Sequence, residues 1–112
     1  MAKPPEFYLQ MKKDHPELVS AYESLGKAAR DAGPLDAQAQ ALVRLGLSIG
    51  SGMETSTHSS TRKALAAGCS EEQIRHAVLL AVTTIGFPSM MRARAWVEDV
   101  LSKGSSAKND QS

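Results

Sequence analysis

The chain has 112 residues, 42% of them hydrophobic, and carries 13 lysines and arginines against 12 acids for a net charge of +1. That composition excludes wholesale disorder, and the scattered basic residues leave no track for nucleic acid or an anionic membrane surface. The single cysteine, Cys69, rules out an intramolecular disulfide, a CxxC redox pair and a cysteine-rich zinc site.

The N-terminal stretch "MAKPPEFYLQMKKDHPELV" has no uninterrupted apolar segment, so neither a signal peptide nor a membrane anchor is expected and the protein is read as cytoplasmic. β-Branched residues rarely alternate with polar ones, and helical spacing prevails. A short helix is expected around Pro5 to Lys13. Pro16 to Asp31 reads as a second, with Leu18, Ala21, Tyr22, Leu25 and Ala29 inside. His15, just before Pro16, is a surface residue in this reading. "GPLD" at Gly33–Asp36 breaks the chain and offers Asp36 as the N-cap of a third helix, on which Leu42, Leu45 and Ile49 form a stripe. Gly46 and Gly50 share a face of it. Each costs about 1 kcal/mol against alanine, which either a closely approaching backbone or a frayed helix end would explain.

The fourth helix, about Met53 to Ala67 with Gly68 as its C-terminal stop, contains "SGMETSTHSS". Glu54 and His58 lie four residues apart and fall on one stripe with Thr61 and Leu65. If Leu65 is inside, both point inward. Met53 to Ala67 is therefore where a titratable pair is expected in a cleft. "SEEQ" at Ser70–Gln73 is a capping box opening a fifth helix, greasy on two faces: Ile74, Ala77, Val78, Ala81, Val82 and Ile85 on one, Leu79 and Leu80 on the other. A two-sided apolar helix is central or lies at a subunit interface. "GFP" at Gly86–Pro88 ends it. A last helix places Met90, Ala93, Val97, Val100 and Leu101 inside and pairs Arg94 with Glu98 outside. Residues 1–103 read as a single domain, and the polar segment 104–112 as a disordered tail.

The motifs from Pro34 to Val97 resemble the carboxymuconolactone decarboxylase family, which includes the AhpD-like hydroperoxidases. They are "PLDAQAQALVRLGLSIG", the H-x5-A-L-x-x-G segment from His58 to Gly68, "CSEEQI" from Cys69 to Ile74, and "GFP". The resemblance implies an all-α, AhpD-like domain of about six helices that assembles as a homo-oligomer, commonly a trimer or hexamer. It further implies cofactor-independent acid/base chemistry, a decarboxylation or related lyase reaction, on a small organic acid, with no metal. His58 would be the acid/base and Glu54 its orienter; the residues that bind substrate stay unassigned. Imidazole exchanges protons near neutral pH, which suits the task.

Three departures bear on that. The peroxidase frame CxxCxxxH falls on Ser51, Glu54 and His58, so CxxC-type peroxidase chemistry is not expected; Cys69 reads as a small buried apolar residue, and an alkyl hydroperoxidase or peroxiredoxin-type activity using Cys69 alone is the least favoured reading. The acid usual in the upstream helix is Ala41, and a tyrosine often found before "GFP" is Thr84. The alternative is a non-catalytic oligomeric binding or scaffold protein on the same fold. His76, where the family often has a glutamate, is expected to be a polar surface position rather than a ligand beside His58.

Overall fold

In a computed structural model the chain is described over residues 6–111, the stretch 104–111 as backbone only. The described elements are all helical: α1 (Glu6–Asp14), α2 (Pro16–Asp31), α3 (Ala37–Ser51), α4 (Glu54–Ala66), α5 (Glu71–Leu79), α6 (Val82–Ile85) and α7 (Phe87–Gln111). The count exceeds the expected six by one, because the fifth predicted helix is divided. Within the span that the sequence reads as a single domain, the chain forms two compact units that divide between Asp36 and Ala37.

The first unit is the α1–α2 hairpin. Tyr8 Oη donates to Glu23 Oε2 at 3.0 Å, and Lys12 Nζ stands 3.9 Å from the same oxygen. The hydrogen bond to this carboxylate pushes the Tyr8 phenol above its ordinary value. The boundaries of α2 match the sequence reading, but its inner stripe does not: Leu18, Tyr22 and Leu25 are exposed, and Val19 is the buried residue of the helix. Helical periodicity identifies an apolar face without identifying what covers it.

The second unit holds the main core. Ala41, Leu45 and Ile49 of α3 pack with Ala64 of α4, Ile74 and Val78 of α5, and Met90, Ala93, Val97 and Leu101 of α7. On α7 these fall at helical spacing, as predicted. The α3–α4 and α4–α5 turns share one device. Gly52 (φ 70°) follows α3, with Gly52 N–H donating to Ile49 O and Met53 N–H to Ser48 O. Gly68 (φ 94°) follows α4, with Gly68 N–H donating to Leu65 O and Cys69 N–H to Ala64 O. Both are Schellman caps, which need a residue free to adopt positive φ. A Cβ at Gly68 would also meet Gln38 Nε2 at 2.9 Å.

The capping box at α5 is formed: Gln73 N–H donates to Ser70 Oγ at 3.0 Å and Ser70 N–H to Gln73 Oε1 at 2.8 Å. Such a cap contributes about 1 kcal/mol. The predicted continuous helix then breaks at Leu80–Ala81. There the bonding tightens to i→i−3, from Ala81 N–H to Val78 O and from Thr84 N–H to Ala81 O, with Leu80 and Ala81 near φ −65°, ψ −20° (−63°, −20° and −66°, −21°).

α7 continues to Gln111 through the segment that composition assigned to a disordered tail. Extending a helix already nucleated by packing avoids the nucleation penalty, and that stretch contains no proline. Among the described residues no helix is long and apolar enough to cross a membrane.

Candidate functional site

α4 lies against both α3 and α7, and its hydroxyl-rich sequence decides how. Ser48 of α3 shares hydrogen bonds with Ser56 at 2.7 Å and Ser60 at 2.8 Å. Thr57 and Thr61 are fully buried, and each hydroxyl donates to the carbonyl four residues back, Met53 O and Thr57 O, at 2.8 Å. The buried line of the helix is thus Thr57, Thr61 and Ala64. Leu65, expected inside, is 36% exposed. Glu54, His58 and Leu65 do share a stripe, but it lies about 70° around the helix from the buried line, from the 100° step per residue. The stripe is a flank facing α7, because small hydroxyl side chains let α3 sit close and claim the inner face.

On that flank His58 meets a residue the sequence reading did not pair with it. His58 Nε2 is 3.1 Å from Asp99 Oδ2 on α7 and 4.0 Å from Glu54 Oε2. A carboxylate only accepts, so Nε2–H donates to Asp99, and in the neutral ring the lone pair is then on Nδ1. The His58 side chain is 24% exposed, while those of Glu54 and Asp99 are 58% and 53% exposed. His58 is half-buried, as a cleft residue would be, but Glu54 is not inward: it is the first residue of α4, after Met53 as N-cap. Asp99 is 41 residues from His58 in sequence, and nothing in local periodicity signals their meeting.

Other candidates are placed elsewhere. Ala41 is buried in the core. Cys69 is buried, its thiol 3.7 Å from the Gln38 carbonyl, a setting for a packed residue rather than a reactive one. Among the described residues, the group of ligand-type side chains close enough to share an ion is Glu54, His58 and Asp99; His76 is not part of it. His76 is exposed, and with Thr84 it lines an open groove of about 550 Å³ between α3 and α5–α6. The other walls include Leu42, Leu80 and Ile85, with Gly46 and Gly50 along α3.

The expected Arg94–Glu98 pair is superseded. Arg75 of α5 binds Glu98 of α7 with two bonds, Nε to Oε1 at 2.7 Å and Nη2 to Oε2 at 3.2 Å. This bond holds the Glu98 carboxyl below its ordinary value, with a smaller contribution from Arg94, and raises the Arg75 guanidinium. Arg92 stacks over Trp96 at 5.1 Å, and a Cβ on Gly52 would lie 3.2 Å from its Nη2, so the guanidinium reaches the α3–α4 turn.

These elements define an all-α class of protein in which a histidine of one helix is held by a carboxylate of another. The model of the carboxymuconolactone decarboxylase family matches residues 16–99, and the chain belongs to that family. A crystal structure of an apo carboxymuconolactone decarboxylase family protein from Legionella pneumophila shares the fold, with a TM-score of 0.74 and 23% identity over 85% of each chain. No curated protein matches the chain.

Proposed function

We propose that the protein is a cofactor-independent acid/base catalyst acting on a small organic acid, by decarboxylation or a related lyase reaction, in the cytoplasm. The observation that carries the reading is the His58–Asp99 hydrogen bond at 3.1 Å on a half-buried imidazole. Asp99 fixes the ring and its tautomer, Glu54 flanks it, and Nδ1 takes or returns the proton of a carbanion-like intermediate. Arg92 of α7, whose guanidinium reaches the turn preceding α4, supplies positive charge for a substrate carboxylate. The test is turnover of a panel of small carboxylic and lactone acids by the wild-type protein and a His58→Ala variant.

A second reading, an oligomeric binding or scaffold protein, is favoured by a different observation. Leu47 and Leu80 are 68% and 61% exposed, and Val43 and Leu79 are also exposed, on the helices that wall the groove. Gly46 lies within α3 and Gly50 in its last turn, and apart from the adjoining backbone of that helix no atom lies within 4 Å of a Cβ built on either. Their cost in helix propensity has no return within the chain, and close packing of another subunit would supply one. In sedimentation velocity the wild type is expected to run as a homo-oligomer, a trimer or hexamer, and Leu80→Asp to run as smaller species with its helical circular dichroism intact. A wild type that runs as a monomer ends this reading.

A further inference from the structure

We propose that Glu54, His58 and Asp99 bind a divalent transition-metal ion of the zinc class, and that the ion silences the base. The three ligand atoms, one nitrogen and two carboxylate oxygens, all lie within 4.8 Å of one another. A tetrahedral zinc with bonds of about 2.0–2.1 Å sets its ligand atoms about 3.4 Å apart. His58 Nε2 already stands 3.1 Å from Asp99 and 4.0 Å from Glu54. The exposed Glu54 and Asp99 side chains must both turn for an ion to take the place of the Nε2 proton.

Charge points the same way. Among the described residues, the ion pairs of Glu54 and Asp99 are with His58 alone, and neither carboxylate is bridged to a lysine or arginine. With a neutral imidazole the cluster therefore carries two uncompensated negative charges around one nitrogen donor. An all-oxygen set would favour magnesium or calcium; one imidazole with two carboxylates favours zinc or a neighbouring transition metal. His58 and Asp99 sit on two helices packed against each other, so two of the three ligands are held on rigid elements.

The consequence for the site follows from the tautomer. An ion on Nε2 displaces the proton now shared with Asp99, and the neutral ring carries its proton on Nδ1 instead, by exchange with water, where the basic lone pair had been. This consequence rests on the reading of His58 as the acid/base; the binding itself does not.

The experiment is a titration of the full chain with zinc chloride at neutral pH against a chromophoric chelator, with histidine-ring nitrogen NMR in parallel. The expected result is one zinc per chain, a dissociation constant on the order of micromolar, and a shifted His58 Nε2 resonance. Glu54→Gln and Asp99→Asn, both at exposed positions, should each weaken binding at least about tenfold. Binding weaker than about millimolar, unchanged binding in both variants, or a response confined to His15 or His76 overturns the site. Because binding is read without turnover, zinc binding in a protein inactive on every acid defeats only the catalytic reading. Turnover in a protein that ignores zinc defeats only the metal site.

Discussion

Turnover by the His58→Ala variant is expected to fall by about 10²- to 10⁴-fold, the usual contribution of a positioned acid/base group. The loss should appear in kcat, since the imidazole acts on the developing carbanion rather than holding the ground-state acid. Asp99→Asn is the informative companion. It keeps the shape of the acceptor but offers an amide with its own donors, so the ring loses its fixed tautomer while its packing is preserved. An intermediate loss in that variant, with an unchanged thermal midpoint, separates positioning from folding. Full activity of His58→Ala would remove the imidazole from the reaction and place the acid/base on another residue.

The second large effect is on stability. Leu45 is 0% exposed at the centre of the α3–α5–α7 cluster. Leu45→Ala is expected to destabilise the fold by about 3 kcal/mol, from lost transfer free energy plus a cavity that neighbouring helices fill only partly. Leu65→Ala makes the same chemical deletion on α4 at a residue 36% exposed, and should cost less than about 1 kcal/mol. Urea titration of the two variants side by side reads the rotation of α4 directly. Equal losses would put Leu65 inside and contradict the hydroxyl-lined inner face.

That rotation is where the sequence was least legible. Of the expected stripe, Glu54, His58 and Leu65 share a flank while Thr61 belongs to the buried line. What failed was the assumption that the largest apolar residue faces the core. Four hydroxyl side chains, Ser56, Thr57, Ser60 and Thr61, bond locally or to Ser48 and so can be covered without penalty. Hydrophobicity is therefore a poor compass on this helix. On α3, α5 and α7, where apolar residues dominate, the same rule placed Leu45, Ile74 and Val97 inside. The Schellman glycine at position 68 and the Ser70 capping box were visible because each is a local device. The pairing of His58 with Asp99 was not, because it depends on the mutual register of α4 and α7.

The hydroxyl seam has a thermal corollary. Heat-capacity change on unfolding rises with exposed apolar area and falls with exposed polar area. Separating α4 from α3 uncovers Ser48, Ser56 and Ser60, whereas opening α5 from α7 uncovers Ile74, Val78 and Val97. The two seams therefore respond differently to cooling: apolar attachment weakens in the cold, and attachment through hydroxyls has little of that dependence. Amide exchange measured across a temperature series should show the flatter profile at Thr57–Thr61 and the steeper one along α5. Matching profiles would mean that the serines do not set how α4 is held. On its α3 side, the helix that carries His58 is thus expected to hold in the cold better than the apolar seams do.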